Sequence, residues 1–414
     1  MALVTPSHNV NTSVRRIGYV HDTNVYGGVE VFMLLLMKYL DPKRYTPAVL
    51  VPGYADPLRR SPPRFIQQVE EMGLPLIRLP VRPETAAFGL GRQIQETMQV
   101  FKNNPFDVIH IHTCRPSGAR IPTISAWLSG IPALLRTEHG PPLGVTRLTR
   151  FTVKPLDWMT DFILTVSDAT LEDQVRMVHR NRNKLYRSHG GIELDQFVPK
   201  RNTREAKARI GLDPDLPVVG AVGRLMPEKG HIHLINAAPY VIEKYGPVNF
   251  LVAGEGPLEQ QLKSQVEKLG LSKYFHISGI WEMGPAYRDA MDIGVMPSVF
   301  EGLGLALLEF MALGIPTVTS SVPCFREVII DGESGLIASL DDENDLAEKI
   351  LELLFDPERA SRIGQAALAR VRSQFSIQRL AGDMMDLYDR ILASQPHRHK
   401  PLPSSMSMKF PYAK

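Results

Sequence analysis

Short apolar runs rich in Val, Ile and Leu recur through the chain, with helix-period segments between many of them. They are RRIGYVH (15–21), AVLVP (48–52), PLIRLP (75–80), DVIHIH (107–112), PALLRTEH (132–139) and FILTVS (162–167). A second series follows as PVVGAVGR (217–224), NFLVAGEG (249–256), FHISG (275–279), DIGVMPS (292–298), PTVTSS (316–321) and GLIAS (335–339). VFMLLLMKYL (31–40) and PLEQQLKSQVEKLG (257–270) are typical of the helical segments. Strands that are apolar nearly throughout must be covered on both faces, which predicts parallel sheets with helices on either side. The two series are separated by a strand-poor stretch, about 192–214. The chain's 414 residues exceed what one compact core accommodates. The prediction is two doubly wound α/β domains, 1–196 and 204–374, joined near Phe197–Thr203 and facing across a cleft. In such domains ligands lie outside the carboxyl ends of the strands. The tail 393–414, with its Pro, Ser and Lys, is expected to be disordered.

Composition narrows the class. With 44% hydrophobic and 22% charged residues, a soluble globular protein is expected. The net charge of +3 is too small to argue for a nucleic-acid partner. Cys114 and Cys324 form neither a disulfide framework nor a zinc constellation and fit a reducing compartment. MALVTPSHNVNTSVRR lacks the apolar core of a signal peptide, and VFMLLLM (31–37) is far too short to span a membrane. A cytoplasmic location is expected.

The most informative stretch is PSVFEGLGLALLEFMALGIPTVTS (297–320), apolar almost throughout yet carrying Glu301 and Glu309. A lone buried carboxylate is costly, so either both reach solvent or a bound ligand uses them; the second reading is adopted. Gly302 and Gly304 leave the backbone open at a helix start, where unpaired N–H groups and the helix dipole attract anions. Glu301 precedes that helix and Glu309 is placed in its third turn, roughly 80° further round. One could meet a sugar and the other a diol such as a ribose. Arg224 and Lys229, after the strand ending at Gly223, fall at the carboxyl edge of the second sheet. A guanidinium and an ammonium suit phosphate there, although solvated loop cations would look the same.

These motifs resemble the family 4 (GT4) retaining glycosyltransferases: GR-x-x-P-x-KG at 223–230, AGEGP at 253–257, and PS-x-x-EG-x-GL-x-x-x-E-x-MA-x-G-x-P-x-V at 297–318. In the first half NVYGGVE (24–30) resembles the family's glycine loop, DVIHIHT (107–113) its histidine-bearing strand and RTEHG (136–140) its histidine–glycine segment. FREVIIDGESGLI (325–337) is similar to the part after the paired glutamates, and coverage is roughly 15–392. The resemblance implies the GT-B architecture, two Rossmann-like domains with the last helix, here 375–392, returning to the first. It also implies transfer of a sugar from a nucleotide-sugar donor to an acceptor hydroxyl, with retention. Carried over by position, Arg224 and Lys229 would bind the donor diphosphate, Glu309 the ribose and Glu301 the transferred sugar. The backbone from Gly302 through Leu303 and Gly304 to Leu305 would meet diphosphate or sugar. Gly223 lies beside Arg224, Gly27 and Gly28 would approach the phosphate from the opposite domain, and His139 would approach the reacting sugar.

No cofactor or metal is expected: DPD (213–215) reads as a turn, and His110 and His112 share a strand face without a third ligand. The family's asparagine–glycine–valine–aspartate pattern before the linker is replaced by SHGGIELDQF (188–197), with Gly190 for the asparagine and Glu193 for the aspartate. RLTRFTVKPLDWMTDF (147–162) is read as an ordinary amphipathic surface helix; the other reading is a membrane-facing helix serving a lipid-linked acceptor. Competing functions are a sugar-nucleotide epimerase and a nucleotide-sugar-binding protein without turnover. A nicotinamide dehydrogenase fits less well, because HDTNVYGGVE is not a compact G-x-G-x-x-G turn.

Overall fold

The computed structural model describes residues 14–21, 27–53, 64–81, 89–142, 144–197, 203–279 and 286–394. The segment 198–202 of the expected linker, all of the expected disordered tail but Ala393 and Ser394, and the start of the NVYGGVE loop lie outside the described residues.

Thirteen described strands form two sheets. The first contains β1 (Arg15–His21), β2 (Tyr45–Pro52), β3 (Leu76–Leu79), β4 (Val108–Thr113), β5 (Ala133–Glu138), β6 (Phe162–Thr165) and β7 (Leu185–Arg187), in the order β3-β2-β1-β4-β5-β6-β7. The second contains β8 (Val218–Val222), β9 (Asn249–Ala253), β10 (Phe275–Ser278), β11 (Ile293–Met296), β12 (Thr317–Ser320) and β13 (Leu336–Ala338), in the order β10-β9-β8-β11-β12-β13. Every pairing within them is parallel. Both sheets share the doubly wound order, whose reversal, beside β1 and beside β8, opens a crevice at the carboxyl edge. The expectation of two such sheets across a cleft is met. The first sheet has seven strands rather than six: Leu185–Arg187 is too short, and too closely preceded by charged residues, to show as an apolar run.

Continuous burial explains the parallel arrangement. All six residues of β4, VIHIHT, are buried, as are the five of β8 and of β9. The helix Ile377–Ala393 leaves the second half of the chain and packs on the first. It buries Leu380, Met384, Leu387 and Ile391 in one core with Ile17, Tyr19 and Leu36. Its Tyr388 hydroxyl lies 2.7 Å from His110 Nδ1 and 3.0 Å from the Tyr19 hydroxyl. Ile192, just before the linker, donates its N–H to Phe375 O (2.9 Å) and accepts from Ile377 N (3.0 Å). The outgoing and returning strands of chain are therefore tied together.

The altered pre-linker segment has its own support. Glu193 accepts from Lys38 Nζ (2.6 Å) and Tyr39 Oη (2.7 Å), anchoring the linker to the helix Gly28–Lys38. A Cβ on Gly190 would stand 2.7 Å from Leu303 Cδ2, so the missing asparagine leaves room for that side chain.

Candidate active site

Residues from both sheets meet at the crevice. The helix Leu305–Ala312 starts at Gly304, whose φ of 87° is left-handed and suits glycine. Among the described residues no side chain caps this helix, and at the helix Gly28–Lys38 the one capping contact is Glu30 Oε2 accepting from Gly27 N–H, so first-turn N–H groups of both are left for a ligand. The two starts converge. A Cβ on Gly28 would lie 3.6 Å from Leu305 Cδ1, and one on Gly27 3.8 Å from Arg224 Nε. A Cβ on Gly302 would stand only 2.1 Å from the carbonyl oxygen of His139. Glycine at 302 therefore lets the second sheet's loop touch the first sheet's wall.

The charges around this point are compensated within the protein. Lys229 Nζ donates to Glu301 Oε2, both groups mostly covered. Half-exposed Arg224 donates to Glu228 Oε1 at 3.1 Å. Gly223 sits under this loop, against Lys229 and His231. Glu309 accepts from Arg288 Nη2 at 2.8 Å. Desolvation pushes the Glu309 carboxyl above the usual carboxylate range, and Arg288 partly offsets this. These pairs correct the premise that a ligand must supply the carboxylates' partners: Lys229 and Arg288 do so, at separations the sequence alone does not connect. Glu309 also lies in the second turn of its helix rather than the third, because Gly304 delays the start to Leu305.

His139 ends β5's extension beside the crevice and packs edge-on to Phe32, ring centroids 4.9 Å apart. Its Nε2 lies 2.9 Å from His112 Nδ1. Among the described residues His112 Nε2 is buried without a partner; a bare acceptor there costs less than an orphaned N–H. We therefore assign His112 Nδ1–H as donor, which leaves the His139 proton on Nδ1. Burial, then the nearby His21, lowers His139 to about 3, and burial with His139 lowers His110 to about 3. His112 is driven well below the ordinary range by desolvation and the other histidines. All three are neutral at pH 7. His110 is satisfied by Tyr388 and by Thr137 Oγ1 (2.7 Å), a structural role.

Two groups were not legible in the sequence. Glu30 Oε2 accepts from Gly27 N at 2.7 Å while Oε1 pairs with His21, so the glycine turn is held from below. Beneath the first sheet's crevice Glu138 Oε1 accepts from Arg136 Nε (2.6 Å) and Arg180 Nη1 (2.7 Å). Those guanidiniums also donate to the carbonyls of Arg115, Pro116 and Gly118, fixing the loop after β4. The sequence signal for it is two opposite charges, Arg136 and Glu138, two residues apart in the apolar run of β5.

DPD (213–215) forms a turn, with Asp215 paired to Arg204. One group of metal-capable side chains occurs among the described residues, Asp168, His189 and Glu327. Its chemistry is that of an ionic clasp. Glu327 accepts from the backbone N–H of Asp168 (2.8 Å) and Ala169 (2.7 Å) and lies 3.1 Å from His189 Nε2, while Asp168 pairs with Arg187.

Residues 26–196 match the family described as Glycosyltransferase Family 4, and residues 202–370 that described as Glycosyl transferases group 1. The putative glycosyltransferase EpsD of Bacillus subtilis is 28% identical over 333 residues, covering 77% of this chain and 84% of EpsD. An Escherichia coli UDP-Gal:alpha-D-GlcNAc-diphosphoundecaprenol alpha-1,3-galactosyltransferase is 24% identical over 302 residues, 70% of this chain and 77% of that one. The fold matches Anabaena HepE, solved in complex with UDP, with a TM-score of 0.77 at 18% identity over 91% of this chain and 100% of HepE.

Proposed function

Because this chain belongs to the family 4 glycosyltransferases, we propose that it moves a sugar from a nucleotide-sugar donor to an acceptor hydroxyl in glycoconjugate biosynthesis, retaining configuration without a metal. The observation that carries the reading is the convergence of two helix starts with Arg224 and Lys229 at one point in the cleft. In this reading 204–374 holds the donor, and 1–196 with the returning helix holds the acceptor.

Cleavage of a glycosyl–phosphate bond leaves an oxocarbenium-like carbon and a diphosphate that gains negative charge. Groups that stabilise this charge more in the transition state than in the bound donor accelerate the reaction. In this reading Arg224, Lys229 and the amides from Gly302 to Leu305 do so. On donor binding the phosphates would draw Arg224 from Glu228 and Lys229 from Glu301. The freed Glu301 would then accept from hydroxyls of the transferred sugar. Glu309 would exchange part of its bond to Arg288 for the ribose diol, and His139 would offer Nδ1–H toward the sugar. The acceptor oxygen bonds to the anomeric carbon as the carbon–phosphate oxygen bond breaks, and the acceptor proton passes to the leaving phosphate. The tight contact of Gly302 with His139 excludes water from the centre, favouring transfer over hydrolysis.

The name of the Escherichia coli relative supports a lipid-linked acceptor, and hence cytoplasmic work at the inner face of a membrane. No helix among the described residues is long and apolar enough to cross one, so contact would be peripheral. Incubation with UDP-, GDP- and ADP-sugars, with and without hydroxyl acceptors, tests the function. Acceptor-dependent donor consumption, an anomeric proton signal matching the donor's configuration, and insensitivity to EDTA are expected. Conversion of the donor alone would make the protein an epimerase. Binding without consumption, even in a cell extract, would make it a carrier.

A further inference from the structure

The helix Arg147–Met159 carries apolar side chains on two opposite sides. Val153 and Leu156 are buried against the protein, as a surface helix requires. Its outward side is apolar too: Leu148 is 70% exposed, Phe151 75% and Trp158 55%. Positions 148, 151, 155 and 158 follow helical spacing, so Pro155 completes a stripe along the solvent side. The stripe extends onto the neighbouring helix Arg120–Leu128, where the Trp127 ring lies 5.3 Å from that of Trp158 and Leu128 is 47% exposed. The reading of an ordinary amphipathic surface helix is therefore corrected, because its outer face is not polar.

The charges within this face have one sign. Arg147 and Lys154 are exposed beside the stripe, and neither has a carboxylate partner among the described residues. The helix's single acid, Asp157, is turned inward to Arg180 at 3.1 Å. We propose that this face docks on an anionic lipid bilayer, with Leu148, Phe151 and Trp158 entering the headgroup boundary and Arg147 and Lys154 meeting lipid phosphates. Exposed apolar patches of this kind mark interaction surfaces, and aromatic, aliphatic and cationic side chains together suit a membrane interface. A second copy of the chain related by a two-fold axis would set Arg147 and Lys154 against their own counterparts, which disfavours that occupant.

The position of the helix gives the surface a use. In a parallel sheet the helix after β5 begins at the carboxyl edge, the same edge that presents His139. Only residues 140–146 separate His139 from the helix start. A lipid-linked acceptor held in the bilayer under Leu148 and Phe151 would enter the cleft from its own side. The inference rests on the proposed lipid-linked acceptor for its purpose, but not for its geometry.

Co-sedimentation of the full chain with equimolar phosphatidylglycerol–phosphatidylcholine vesicles, and with phosphatidylcholine alone, tests it. The wild type is expected to partition onto the anionic vesicles more strongly than onto the neutral ones. A Leu148→Ser, Phe151→Ser, Trp158→Ser variant should lose binding by at least about tenfold. Arg147→Ala with Lys154→Ala should lose about twenty-five-fold, from roughly fivefold per cation. The variants should stay folded, with the triple variant's unfolding midpoint lowered only slightly by loss of the Trp127–Trp158 contact, and nucleotide binding should be unchanged. A wild type that stays in the supernatant, or a triple variant that binds equally well, would overturn the proposal. So would a wild-type dimer that the triple variant converts to monomer, since another copy would then cover the face. Vesicle binding without sugar transfer would sink the enzymatic reading alone, and transfer to a soluble acceptor without vesicle binding would sink only the docking.

Discussion

Replacing Gly302 with alanine should separate the two walls of the cleft without disturbing either sheet. Gly302 is not in the left-handed region, so the added methyl acts by volume alone. It would stand 2.1 Å from the His139 carbonyl oxygen, with His139 C and Gly140 Cα at 3.0 and 3.1 Å. A carbon and a carbonyl oxygen rest comfortably at about 3.3 Å, so the loop and the wall must part by roughly 1 Å. The three nearest atoms are all backbone, so rotation of a side chain does not relieve the clash. A misplacement of about 1 Å at a reacting centre costs on the order of a hundredfold in rate. We therefore expect kcat/KM to fall about a hundredfold, while binding of the bare nucleotide, which this reading assigns to the second sheet's side, changes little. Gly382→Ala, in the open on the returning helix, is the control and should raise stability by up to about 1 kcal/mol. Steady-state kinetics with the identified donor and acceptor, beside thermal unfolding, is the assay. Full activity in Gly302→Ala would refute the assembled cleft.

The buried histidines make stability pH-dependent. Folding holds His110 and His139 at about 3 and His112 well below its usual range, whereas the unfolded chain protonates them near 6.5. The unfolded chain thus gains protons first as pH falls, and stability declines below about pH 6.5. From pH 7 to 5.5 the loss is a little over 1 kcal/mol per histidine, about 4 kcal/mol for three; urea unfolding that is equal at both pH values would contradict it. Arg288→Ala should destabilise by about 1–3 kcal/mol at pH 7 by leaving Glu309 unpaired. Relative to wild type, that deficit should shrink at pH 5, because a carboxyl raised in the folded state is stabilised by protonation. A pH-independent difference would argue that Arg288 acts by packing alone.

The strands were legible because parallel sheets bury both faces, so β8 reads as an unbroken apolar run and β4 as an apolar run interrupted by His110 and His112. The glycine turns and the 297–318 motif were legible because they are local and tied to helix starts. Side-chain partners across the fold were not. Arg288 and Glu309 sit on separate elements either side of β11, and nothing local marks them as a pair. The Glu138 network depends on β5 lying above the 115–118 loop, and the pairing of Glu30 with His21 depends on the helix Gly28–Lys38 starting beside the end of β1. The outward stripe of the 147–159 helix was visible as composition, but which side faces the core was decided by where β5 and β6 place it.

Nucleotide binding by wild type and by Arg224→Ala with Lys229→Ala, measured by calorimetry against UDP, GDP and ADP, tests the central claim most directly. The account predicts that one diphosphate binds the wild type and that the double variant loses at least about tenfold in affinity, as expected when charge-assisted phosphate contacts are removed. Equal affinity in the two proteins, or no binding of any diphosphate to the wild type, would contradict it.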